Sequence, residues 1–300
     1  MKYGVLLFAV NNSEIDYIKQ AIYCAKKVKE HLDLPIALAT DSLAYLNNTF
    51  PFYKKYIDLV INIDKYTTGN KKSAQGKKIA FDSRMQTRKF FDGAYTEKTL
   101  VWRNHSRAYC YDISPFEETL VIDVDFLVCN NDLLNCFKLN EDFLIYKDPI
   151  DIFKDREFQP FNRVSDKSID LRWATAFYFK KNKMTEAYFD LVKHIRENWG
   201  FYKLIYQIPG NLFRNDFAFS IAIHILNGFQ SNDWPKSLPG NMYTATDKDV
   251  LYEIKNNKLF FVIEASPPGS FRGVTITDSN VHVMNKFSLS RMIDIEFENE

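Results

Sequence analysis

An unbroken apolar run, Tyr3–Val10, opens the chain and is stopped by Asn11, Asn12, Ser13 and Glu14. Such a run is the trace of a strand covered on both faces. Apolar residues then recur at helical spacing (Ile15, Ile18, Ile22, Ala25, Val28), which predicts an amphipathic helix capped by Ser13 and running to about Leu32. Pro35 ends the connection. Ile36–Ala39 reads as a second strand closing on Thr40, Asp41 and Ser42, and Asp58–Ile63 as a third. Strand, helix, strand at this rhythm predicts a right-handed βαβ unit and a largely parallel sheet. Ligands of such sheets lie beyond the carboxyl ends of the strands, here Val10, Asn12 and Asp41.

The pattern breaks between Lys71 and Arg107, where turn formers precede an expected helix from about Ile79. It resumes at Thr119–Val128, whose second half alternates apolar residues with acids, and at Phe143–Tyr146. Further on, Trp173–Phe179 predicts a strand, Thr185–Trp199 and Asp216–Leu226 predict helices, and Phe260–Glu264 and Asn280–Met284 predict strands. No linker or internal repeat divides the chain. The expectation is one α/β domain, 1–300, with two lobes, 1–130 and 131–300.

Composition adds three constraints. Of 300 residues 46% are hydrophobic, ample for one large core. Basic and acidic residues balance at 39 to 38, so any charge signal must be local. That signal is the Lys71–Arg107 segment, with ten Lys or Arg against three acids among 37 residues. It reads either as a solvated face or as an anion site. Cys24, Cys110, Cys129 and Cys136 form no CxxC pair and are expected to be reduced core residues of a cytoplasmic protein. No stretch approaches the roughly 18 apolar residues of a membrane span.

Asp123 and Asp125 carry the chemistry. On a strand, an i, i+2 pair points to one face, and two adjacent carboxylates repel and lose hydration. A hard divalent cation, Mn²⁺ or Mg²⁺, would satisfy both and bridge to phosphate oxygens.

The run Ser114–Val128, SPFEETLVIDVDFLV, resembles the SPF-x-ET-hydrophobic-D-x-D segment of GT-A glycosyltransferases, particularly the glycogenin and lipopolysaccharide galactosyltransferase group. The resemblance implies a GT-A fold, a mixed and mostly parallel Rossmann-like sheet flanked by helices. It also implies a UDP-sugar donor on the first lobe, an acceptor on the second, and metal binding by Asp123 and Asp125. It places Asp41 at the uracil or ribose, Asp216 against the donor sugar and His282 as third metal ligand. The group's H-x-x-G-x-x-K-P-W element is reduced here to His282 and Lys286, four apart.

On this reading Val10 and Asn12 line the base pocket, and Arg103, Arg107 and Lys286 meet the diphosphate with Asp123. Lys77, Arg84 and Arg88 are alternatives, with Arg84 and Arg88 on one helix face. Asp216 is the candidate catalytic acid, a general base or a stabiliser of an oxocarbenium-like state, or else a helix N-cap. The acceptor is a hydroxymethylated base in double-stranded DNA, reached through the basic segment 71–107 as in base-glycosylating phage enzymes, or a glycan. The competing functions are a metal-dependent nucleotidyltransferase, for which no Gly-rich phosphate loop is present, and an inactive GT-A binding module.

Overall fold

A computed structural model describes residues 1–64, 86–102, 106–154, 156, 162–165, 168–210 and 212–298. Lys77, Arg84, Arg103 and the helix expected from Ile79 lie outside them. The described strands are β1 Tyr3–Ala9, β2 Ile36–Thr40, β3 Leu59–Asn62, β4 Thr87–Phe91, β5 Glu97–Val101, β6 Glu118–Asp123, β7 Phe126–Leu127, β8 Phe143–Tyr146, β9 Ile150–Asp151, β10 Trp173–Lys180, β11 Tyr243–Ala245, β12 Val250–Lys255, β13 Lys258–Ala265, β14 Ser270–Thr277 and β15 Val281–Val283.

Six strands form the central sheet in the order β3-β2-β1-β6-β10-β8. The first four run parallel, and β10 lies antiparallel to both of its neighbours. Val5, Leu6 and Leu7 in β1 and all of Ile36–Thr40 in β2 are buried, as their continuous apolar runs require. Gly4 permits the closest approach: a Cβ there would lie 2.4 Å from the Phe116 ring and 2.7 Å from the Pro35 carbonyl. Helices Tyr17–Leu32, Lys183–Glu197 and Asn215–Leu226 flank the sheet and supply buried faces to its core. This is the α/β class with a largely parallel sheet expected from the pattern, and the antiparallel β10 makes the sheet mixed, as the resemblance implies. Among the described residues no helix is long and apolar enough to cross a membrane. All four cysteines are free and buried.

The first helix does not start from Ser13. Asn12 Oδ1 accepts the backbone N–H groups of Glu14 and Ile15 at 2.9 and 2.8 Å, forming a local turn. The helix begins at Tyr17, with Asp16 Oδ1 accepting the Lys19 N–H at 3.0 Å. A second correction concerns the basic segment: Arg88 is carried on β4 of a β4–β5 hairpin rather than on a helix.

Two smaller sheets complete the described fold, β7-β15-β11-β9 and β12-β13-β14. Strands β12 and β14, and the helix Lys286–Glu298, are absent from the pattern-based expectation. For the two strands the reason is visible in their burial, since β14 buries none of its residues and β12 only Leu251.

Candidate functional site

Strand β6 ends on Asp123, turns over Val124 and Asp125, and resumes as β7. The two aspartates therefore do not share one face of a pleated strand, and a turn brings them to the same cavity. Strand β7 pairs antiparallel with β15, setting His282 opposite Phe126. The Val283 N–H donates to the Asp125 carbonyl at 2.9 Å. This short sheet joins positions 125 and 282.

Each carboxylate has its own cation. Arg107 meets Asp123 with both terminal nitrogens, Nη1 donating to Oδ2 at 3.0 Å, and Nη1 also donates to the Ala174 carbonyl at 3.0 Å. Asp125 Oδ2 contacts Lys286 Nζ, with His282 Nε2 at 3.3 Å. Burial alone would raise the Asp125 pKa, but the Lys286 ammonium and the adjacent imidazole hold it well below the carboxylate range. Burial outweighs Asp125 at His282 and lowers its pKa, favouring the neutral imidazole that ligates metals.

Asp216 lies in the first turn of Asn215–Leu226, whose N-cap is Arg214, so it is not the cap residue. Its Oδ1 accepts the Ala174 N–H at 2.8 Å, and its Oδ2 accepts Arg214 Nε at 3.1 Å and Nη2 at 2.7 Å. Burial would raise its pKa, and the Arg214 charge and hydrogen bonds more than reverse that. The Ala174 peptide serves both Arg107 and Asp216 because the β10–β8 register shifts between Trp173 and Phe177, and β10 begins pairing with β6 only at Ala176.

One cavity gathers Val10, Arg107, Asp123, Asp125, Asp216, His282 and Lys286, with Trp173 in its wall. Asn12 and Asp41 are not in its lining. Asn12 is engaged in its own turn, and Asp41 stands at the end of β2 with its Oδ1 accepting Ser42 Oγ at 2.8 Å. Arg103 lies outside the described residues. Trp234 packs against Phe143 and Tyr188 in the core. Ligand atoms of Asp123, Asp125 and His282 all fall within 4.8 Å of one another. Two carboxylates and a neutral imidazole fit a divalent cation.

Arg214, Tyr17, Asn215 and Thr175 also line the cavity. Asn215 adjoins the singled-out Asp216 and Thr175 lies in the expected strand Trp173–Phe179, whereas Arg214 and Tyr17 carry no recognisable motif.

No protein-family model matches the chain, and no curated protein does. Among solved structures it is similar to the glycosyltransferase GlyE of Streptococcus pneumoniae TIGR4, 12% identical over 75% of this chain and 43% of that one, with TM-score 0.38. This chain thus spans less than half of GlyE. It is also similar to the galactosyltransferase LgtC in complex with donor and acceptor sugar analogs, at 13% identity, 72% and 69% coverage and TM-score 0.39. For mouse xyloside xylosyltransferase 1 the values are 12%, 76%, 83% and 0.40. These are likenesses of fold, and the chemistry has to come from the cavity itself.

Proposed function

We propose that the chain is a metal-dependent glycosyltransferase moving a sugar from a nucleotide-sugar, a UDP-sugar, to a hydroxyl acceptor. The supporting observation is the convergence of three carboxylates, each held by its own cation, and the His282 imidazole on one cavity beyond the end of β6.

Asp123, Asp125 and His282 would hold the ion. When bound, Mn²⁺ or Mg²⁺ supplies Lewis acidity toward a diphosphate leaving group. Arg107 orients Asp123, Lys286 orients Asp125 and holds it ionised, and both cations line the same cavity as the proposed diphosphate. Val10 at the end of β1, with Asn12 and Asp41 beyond the ends of β1 and β2, would serve the base and ribose, and Arg103, outside the described residues, the diphosphate, so that 1–130 carries the donor and 131–300 the acceptor.

Asp216 is better suited to electrostatic stabilisation than to proton abstraction. Both of its oxygens already accept hydrogen bonds and its pKa is depressed, which makes it a weak base. Its fixed negative charge instead favours positive charge developing at the anomeric carbon.

Between the acceptors, the described part of the basic segment favours a glycan over DNA. Of the four basic residues of this segment that are described, Lys89 pairs with Glu97 at 2.9 Å, Lys98 with Glu14 at 2.8 Å and Arg107 with Asp123, which leaves few of those four for a DNA backbone. A mobility shift with duplex DNA at low salt would reverse this preference.

A thermal-shift titration with UDP, GDP and UDP-sugars, with and without Mn²⁺, tests the donor site on the wild type and on Asp123→Asn and Asp125→Asn. The expected result is a UDP shift that needs both the metal and the aspartates. No shift with any nucleotide overturns the reading. Pyrophosphate release from a nucleoside triphosphate would favour a nucleotidyltransferase instead.

A further inference from the structure

The β4–β5 hairpin brings the cavity a cation that its three carboxylates do not use. Arg107, Lys286 and Arg214 are committed to Asp123, Asp125 and Asp216. Arg88 lines the same cavity. Among the described residues the one carboxylate within 4 Å of it is Asp247, outside the cavity lining at 3.8 Å, too far for a hydrogen bond. What orients Arg88 is aromatic: its guanidinium carbon lies 5.5 Å from the Phe90 ring centroid and 5.4 Å from that of Trp102. Ring faces hold a guanidinium plane without occupying its N–H donors. Burial and the neighbouring Arg214 both work against the charge on Arg88, so an anion beside it would be stabilising.

The hairpin's attachment points the same way. Phe90 and Leu100 form a small apolar cluster with Ile15, apart from the main core, with Tyr17, Trp102 and Phe287 against it. The other ties described include the Phe213 N–H donating to Gln86 Oε1 at 3.1 Å at the hairpin's base, Lys248 over the Phe91 ring, and the exposed contacts Lys98 to Glu14, Arg291 to Asp92, and Tyr95 to Glu264. Among the described residues this wall is held by one small cluster, a hydrogen bond at its base and exposed polar contacts, which open at lower cost than a main core. Its position then responds to whatever its inward-facing cation binds.

We propose that Arg88 is a donor-binding residue whose planar fork takes two oxygens of a nucleoside diphosphate, and that this contact closes the β4–β5 hairpin over the nucleotide. The inference rests on the nucleotide-sugar reading of the cavity. A guanidinium suits this ligand because two parallel N–H donors match two phosphate oxygens, which an ammonium cannot reproduce.

The test titrates the wild type, Arg88→Ala and Arg88→Lys with UDP and uridine in the presence of Mn²⁺, and follows amide exchange across 87–101 with and without UDP. UDP affinity is expected to fall about tenfold or more in Arg88→Ala and by less in Arg88→Lys. Uridine affinity should stay unchanged, which also shows that the variants are folded. UDP should slow hairpin exchange in the wild type and fail to do so in Arg88→Ala. Equal UDP affinity in the wild type and Arg88→Ala overturns the role of Arg88 while leaving the nucleotide site standing. UDP binding at full strength without any slowing of hairpin exchange overturns the closure. If the wild type binds no UDP, the nucleotide reading itself fails and takes this inference with it.

Discussion

The cavity has two unlike walls. The Asp123–Asp125 turn grows out of β6, in the middle of the main sheet, and is tied through β7 and β15 to a second buried layer. The β4–β5 hairpin faces it with Arg88 and, among the described residues, rests on a three-residue buried cluster and a hydrogen bond from the Phe213 N–H to Gln86. One wall holds its charges by burial, with side-chain exposures of 7% for Asp125 and 9% for Lys286. The other orients its charge on aromatic faces at the margin. The contrast teaches a division of labour. A metal site needs ligands whose spacing does not change, while a ligand that must enter and leave needs a wall that can move.

The largest effect is expected from breaking the rigid wall. Asp125→Asn leaves the Lys286 ammonium buried without its counter-charge. Breaking such a pair costs about 3–5 kcal/mol, measurable as a fall in unfolding free energy by urea denaturation. Asp125→Asn with Lys286→Met removes both charges and should regain most of that loss, because a buried pair contributes little against an apolar replacement. The double variant should still show no metal-dependent nucleotide shift. If instead the single variant is as stable as the wild type, the turn is not the rigid wall described.

Asp216→Asn comes next, with turnover expected to fall about 10²–10³-fold on a donor that the wild type uses. Its stability effect is tied to acid. The folded pKa lies below the free carboxylate value, so the Asp216–Arg214 pair contributes fully above that value. The contribution is lost as pH falls through the lower, folded one. Wild type and Asp216→Asn should therefore differ in thermal midpoint near neutrality and converge below about pH 4. A difference that widens on acidification contradicts the depressed pKa.

The two walls also differ in how far they could be read from the residues. Continuous apolar runs announce β1, β2 and β6 because both faces of those strands are covered, and Asp123 and Asp125 stand out against them. The pair was legible, but its local conformation was not: i, i+2 spacing fits a pleat and a turn equally well, and the choice is made by β15 far along the chain. His282 reaches Asp125 through strands of two and three residues, too short to leave a period. The hairpin was misread because the basic residues 84 and 88 also fit a helix face, and the burial of Phe90 and Leu100 against Ile15 is non-local. Arg214 escaped because an arginine beside a helix start looks like any surface residue until Asp216 is seen to turn toward it.

Phe90→Ala loosens the other wall. Truncating a buried phenylalanine costs about 3–5 kcal/mol in a main core. In a satellite cluster the cost should be nearer 2 kcal/mol, confined to the local opening of the hairpin. Amide exchange across 87–101 should accelerate about 30-fold while the global urea midpoint barely moves. A matching drop in global stability would mean that the hairpin unfolds with the body, and the two walls would then be one cooperative unit.

The smallest effect belongs to the rim. Arg291 meets Asp92 at 2.8 Å with each of two nitrogens, yet the arginine side chain is 49% exposed. Such a pair contributes about 0–1 kcal/mol and is screened by salt. Arg291→Ala should leave global unfolding unchanged and speed hairpin exchange by about fivefold or less at low ionic strength. Raising the salt to about 0.5 M should bring wild type and variant together. The salt dependence separates the two kinds of anchorage, since the Phe90 cluster is apolar and its contribution does not fade with screening. If salt leaves hairpin exchange untouched in the wild type, the rim pairs are ornamental and the small cluster alone holds that wall closed.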